Sequence, residues 1–127
     1  MRTTLRSLVL DPDPGSLPAD ASAFSTNARL TVGPADGAGE ETLDVTVCTP
    51  EWLAHACGRT GGIYDARHHV VVSLERFDQR VLHDWFKARV ERVERDDWIQ
   101  VGHRLARLGY WEFEDYSPEG APPAARR

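Results

Sequence analysis

Cys48 stands directly before Thr49-Pro50-Glu51, a run suited to the start of a helix. Partial positive charge at a helix N-terminus lowers a thiol pKa, and an imidazole from His55, His68 or His69 could then serve as base. That combination would make Cys48 a nucleophile. The competing reading is a small hydrophobe at a strand end, which is the commoner fate of a cysteine. Metal binding is the second chemistry the residue types suggest. Adjacent residues on a strand point to opposite faces, so His68 and His69 do not converge on one ion. Eight residues separate Cys48 from Cys57, wider than the roughly two to four of a zinc knuckle. Gly58-Arg59-Thr60-Gly61-Gly62 follows a helical pattern and lacks the Gly-Lys-Ser/Thr ending of a phosphate loop. Glu112, Glu114 and Asp115 cluster without the setting of a general-acid pair. The residues therefore predict no catalytic set, no metal and no cofactor.

The elements that must position these residues follow from periodicity. Leu5 to Leu10 alternates as a first strand and meets the breaker cluster Asp11-Pro12-Asp13-Pro14-Gly15, which opens an exposed connection over residues 11–22. Phe24 to Val32 and Glu41 to Cys48 read as strands joined by the glycine-rich residues 33–39, a hairpin. Leu43, Val45 and Val47 face inward; Thr42, Asp44, Thr46 and Cys48 face outward. Thr49 caps a short helix with Pro50 at its first position, a stripe of Trp52, Leu53 and Ala56, and a stop at Gly58. Arg67 to Leu74 reads as a strand buried on both faces at Val70-Val71-Val72. A long helix follows, with Phe77, Val81, Leu82, Trp85, Ala88 and Val93 on its apolar side and Lys87 able to pair with Glu91. Asp96 and Asp97 begin another helix, striped by Trp98, Val101, Gly102, Leu105 and Leu108 and ended by Gly109. Tyr110 to Tyr116 alternates as a last strand.

The order β-β-β-α-β-α-α-β predicts an α+β fold: a mostly antiparallel sheet of about five strands with three helices packed on one face. Residues 1–116 form one domain in this reading, and residues 117–127 a disordered tail rich in Pro, Ala and Arg.

The chain of 127 residues carries 20 Asp and Glu against 15 Lys and Arg, a formal charge of −5. The excess is uneven: net −5 over residues 1–58, +2 over 59–109 and −2 over the remainder. An acidic balance argues against sequence-independent nucleic-acid binding and suits attraction of a basic partner. The short apolar run Leu8-Val9-Leu10 is no signal peptide, and no stretch approaches a membrane span. A cytoplasmic protein with reduced thiols, contacting neither nucleic acid nor membrane, is expected. Its oligomeric state is not legible.

Two segments are more specific than this. Thr46-Val47-Cys48-Thr49-Pro50-Glu51-Trp52-Leu53 and Gly109-Tyr110-Trp111-Glu112-Phe113-Glu114-Asp115-Tyr116 resemble the signature of the immunity protein 8 family, small cytoplasmic proteins encoded beside toxins in bacterial polymorphic toxin systems. The resemblance runs from the N-terminal strand through Tyr116; the proline-rich connection at 11–22 and the tail depart from it. It implies an α+β fold and stoichiometric, non-catalytic neutralisation of a cognate toxin domain. The acidic balance suits a nuclease, whose substrate groove is basic. Within the motifs, Cys48, Thr49, Pro50, Trp52, Trp111 and Phe113 read as structural. Two surfaces are candidates for the toxin: Glu112, Glu114, Asp115 and Tyr116 on the last strand, and Glu40, Glu41 and Asp44, with Asp36, on the hairpin. The alternative is a small enzyme or ligand-binding domain using Cys48 and the nearby histidines.

Overall fold

A computed structural model describes residues 2–16, 22–92 and 98–111. Strand β1 (Thr3–Asp11) pairs antiparallel with β2 (Ser25–Pro34), which pairs antiparallel with β3 (Glu41–Cys48). Helix α1 (Pro50–Arg59) then carries the chain over to β4 (His69–Val71), which lies parallel to β3 at Thr46–Cys48. A crossover helix is what permits a parallel neighbour. Helices α2 (Gln79–Glu91) and α3 (Trp98–Leu105) lead to β5 (Tyr110–Trp111), antiparallel to β3 at Leu43 and Asp44. Because β2 occupies one edge of β3 throughout, β4 and β5 share the other edge end to end. The α+β class and the order of elements are those expected, in a mixed sheet four positions wide.

The core lies on one face of this sheet. Leu30, Val32, Leu43, Val45 and Val47 are fully buried there, against Leu82, Phe86 and Val90 of α2 and Val101 and Leu105 of α3. Helix α1 departs from the expected single helical layer. Thr46 pairs with His69, so His69 shares the face of Thr46 rather than that of Val45 and Val47, and the Trp52 ring of α1 lies 6.0 Å from the His69 ring. Ala56 and Cys48 are buried but stand apart from the main core. Cys48, expected to face outward to solvent, is covered because the chain turns into α1 immediately after it.

Several boundaries moved for local reasons. Helix α1 runs through Gly58 and ends at Thr60, whose hydroxyl bonds the Ala56 carbonyl at 2.8 Å; the left-handed turn falls on Gly61 (φ 75°) and Gly62 (φ 94°). Strand β4 keeps only three residues, and Val71 is 50% exposed, because β4 pairs with β3 alone and has no cover on its outer side among the described residues. The buried row of α2 is Leu82, Phe86 and Val90, spaced by four, while Val81 and Trp85 project outward. Val93, Asp96 and Asp97 lie outside the described residues, as do residues 112–127 with the expected end of the last strand and the tail.

Thr49 ties three elements together. Its buried Oγ1 accepts the Phe24 N–H at 3.1 Å and the Trp52 N–H at 3.3 Å, and donates to the Ser22 carbonyl at 2.8 Å. The entrance to β2, the exit of β3 and the start of α1 thus share one hydroxyl. Thr49→Val should lose the cap and orphan those groups, costing about 2 kcal/mol and lowering Tm by roughly 8 °C. Thr49→Ser should retain most of the stability; thermal denaturation followed by circular dichroism distinguishes the two.

Candidate functional site

The first motif, Cys48 to Trp52, folds as the strand-to-helix joint just described. Cys48 is fully inaccessible and its burial pushes the thiol pKa up, opposite to the shift a nucleophile needs. The two histidines are both engaged. His69 donates from Nδ1 to the Arg67 carbonyl at 2.7 Å, since a carbonyl only accepts, and its Nε2 shares a hydrogen bond with the Tyr64 hydroxyl, also at 2.7 Å. His68, held in a left-handed conformation at φ 59°, bonds the Ala106 carbonyl through Nε2 at 2.8 Å. His69 thus ties β4 to the turn before it, and His68, outside the strand, ties that turn to the one after α3. Cys48 and Cys57 are free thiols, and among the described residues no three His, Cys, Asp or Glu are grouped to hold a metal ion. Trp52 packs edge-on against Tyr64 (5.6 Å) with the Arg59 guanidinium 5.8 Å from its ring centre.

The hairpin carboxylates do not converge on one patch. A register shift between Leu5 and Ser7 makes Arg6 the extra residue of a bulge in β1. Its guanidinium reaches the Pro34 and Gly37 carbonyls, each at 2.8 Å, and lies 3.6 Å from Glu40. Gly33 is required by the hairpin backbone: a Cβ there would stand 2.5 Å from the Gly39 carbonyl oxygen, and 2.6 Å from the Arg6 guanidinium carbon as well. Glu41 shares the parity of Leu43 and Val45 and is half-buried, whereas Asp44 projects from the other face. Arg29 grips Asp44 with two bonds, Nε to Oδ1 at 3.0 Å and Nη2 to Oδ2 at 3.1 Å, and the Asn27 amide adds a third at 3.2 Å. These bonds, the Arg29 fork foremost, hold the Asp44 carboxyl below its ordinary range. Asp36 is exposed.

Of the last-strand set, Glu112, Phe113, Glu114, Asp115 and Tyr116 lie outside the described residues. What is described of that strand bears on the choice between the two candidate surfaces. Tyr110 pairs with Asp44 and Trp111 with Leu43, so β5 runs alongside β3 toward its Glu41 end. Tyr110 and Trp111 are thus the residues of that segment seen beside β3.

A groove between β4 and α2 escaped the sequence reading. It holds about 290 Å3 and is lined by Val71, Val81, Trp85, Phe77 and Leu82 among others. The helical period places Val81 and Trp85 in the core stripe, whereas the structure turns both outward. The signal against that was present: with Phe86 counted, α2 carries two parallel apolar rows, 82-86-90 and 81-85, and one sheet face needs only one.

The Asp44 pairing carries an acid dependence. A carboxyl lowered by folding stabilises above its unfolded value, near 3.9, and that contribution disappears as the pH falls through the lower folded value. Asp44→Asn should cost about 0.2–1 kcal/mol at pH 7, as for exposed pairs. The gap between the two proteins should close toward pH 2, measured by urea denaturation at both pH values.

No helix among the described residues is long and apolar enough to cross a membrane. No curated protein and no solved structure matches the chain. A family model does, over residues 10–116, and its description is immunity protein 8. That span contains both motif segments, the hairpin, every helix and all of β2 to β5, so the chain belongs to the immunity protein 8 family.

Proposed function

We propose that this protein neutralises a cognate nuclease toxin of a polymorphic toxin system inside the producing cell, by stoichiometric binding without catalysis. Membership of an immunity family implies a toxin as partner. The single observation that supports an acidic contact surface is the pairing of β5 with the Leu43–Asp44 end of β3. Tyr110 and Trp111 immediately precede Glu112, Glu114, Asp115 and Tyr116 in the sequence, and Leu43 and Asp44 belong to the strand that follows Asp36, Glu40 and Glu41. Carboxylates on these two segments suit a groove built for phosphates, and they speed encounter with it. Glu40 and Asp44 are held by Arg6 and Arg29, which fixes their positions before binding and leaves Asp36 and the last-strand carboxylates to contribute most of the attraction. Against the enzyme alternative stand the inaccessible, raised thiol of Cys48 and the occupied nitrogens of His68 and His69.

Co-expression with the toxin encoded beside this gene tests the reading. Restored growth and a one-to-one titration are expected. Glu112→Lys with Glu114→Lys, and separately Asp36→Lys, should each weaken binding by about tenfold or more, a loss of ~1.4 kcal/mol per factor of ten. Added salt should slow association with the unaltered protein. A neighbouring peptidase or pore-former would overturn the nuclease assignment, and unchanged affinity in both charge-reversed variants would overturn the acidic surface.

A further inference from the structure

Strands β4 and β5 lie end to end on one edge of β3, and one residue spans the place where they meet. β5 pairs with Leu43 and Asp44, and β4 begins opposite Thr46. His68, immediately before β4, fills the junction with its backbone: its carbonyl accepts the Thr46 N–H at 2.9 Å. Its imidazole reaches the other strand's approach. Nε2 donates to the Ala106 carbonyl at 2.8 Å, 38 residues away in sequence, in the turn between α3 and β5.

Two observations show that the side chain itself is what this position requires. His68 has φ 59°, a left-handed backbone that crowds any β-carbon. Earlier in the same connection Gly61 and Gly62 supply the positive φ values, where only the backbone matters. At position 68 the chain accepts the strain and keeps a ring, and strain held at one residue points to work done by that residue. The second observation is the acceptor. Carbonyls at a helix C-terminus lack N–H partners from their own helix. After α3, the Arg104 carbonyl takes the Arg107 N–H and the Leu105 carbonyl takes those of Leu108 and Gly109, while His68 meets Ala106. An imidazole donor is a suitable closure for such an end. The turn that aims β5 is thus held twice, by the close seat of Gly109 on Val45 and by His68 through Ala106.

We infer that His68 is the positioning residue of β5: a staple that fastens the α3–β5 turn to the start of β4, so that both strands hold to β3 as one cooperative unit. Neither strand leaves β3 without straining the turn of the other. The link belongs to the edge of the sheet and is independent of the nature of the toxin.

Hydrogen exchange of the full chain, followed by NMR, tests it. The Thr46 and Val72 amides report β4, the amides protected by the pairing of Leu43 and Asp44 with Trp111 and Tyr110 report β5, and Leu30 in β2 reports global opening. In the unaltered chain the β4 and β5 amides should have protection factors within about threefold of each other. His68→Gly relieves the backbone and removes the ring; it should lower β5 protection about fivefold or more, and that of Leu30 by less. His68→Gln, whose amide N–H reaches about as far as Nε2, should restore most of the protection. His68→Asn, which tolerates the left-handed backbone but is shorter, should not. Unchanged β5 protection in His68→Gly, or a loss matched at Leu30, would overturn the staple, and β4 amides far better protected than those of β5 in the unaltered chain would overturn the single unit. A long-range proton–nitrogen correlation on the unaltered protein checks the bond without any variant. A proton on His68 Nε2 is expected, and its absence would overturn the inference, because a carbonyl only accepts.

Discussion

A strand in the interior of a sheet must satisfy its backbone along two edges, and β3 does so with three partners: β2 on one side, β4 and β5 in succession on the other. Its side chains Leu43, Val45 and Val47 are fully buried beneath the helical layer. Every later element is placed by that requirement. Helix α1 must carry the chain over so that β4 can lie parallel, and α3 must turn sharply enough for β5 to reach Leu43 and Asp44. The turn is tight: the Leu108 and Gly109 N–H groups both bond the Leu105 carbonyl, and a Cβ on Gly109 would stand 2.6 Å from a methyl carbon of Val45. A glycine at 109 is therefore demanded by the proximity of β3.

The same strand organises the charge. Asp44 sits where β3 changes from one outer partner to the other, held by Arg29 across the β2–β3 pair. Arg6 performs the equivalent task for the hairpin, freed by the bulge in β1 to close over Pro34, Gly37 and Glu40. The sequence is dominated by Arg among its bases, and these two positions show why a fork is preferable to a point charge: each makes two directed bonds from one side chain. The formal charge of −5 already counts Arg6 and Arg29, so these pairs set where the charge lies and leave its sum unchanged.

Local chemistry made much of this legible in advance. The alternation of Glu41 to Cys48, the Thr49-Pro50 helix start and the Lys87–Glu91 pair, closed at 3.0 Å, all follow from contacts within a few residues. Tertiary choices were harder to see. Val70-Val71-Val72 reads as a fully buried strand only if something covers both faces, and the structure leaves Val71 half exposed. Gly58 looks like a helix stop, yet Thr60 supplies the closing bonds and Gly61 the turn. In α2 either of two apolar rows satisfies the helical period; only the position of the sheet selects 82-86-90 for the core.

That selection bears on how an immunity protein can be specific. A surface of carboxylates attracts any basic groove, and nucleases share basic grooves because they share a substrate. Charge alone therefore brings speed without discrimination. The apolar row that the sheet does not take, Val81 and Trp85, is left in the β4–α2 groove with the Arg89 guanidinium 5.0 Å from the Trp85 ring centre, a surface of the opposite character to a row of carboxylates.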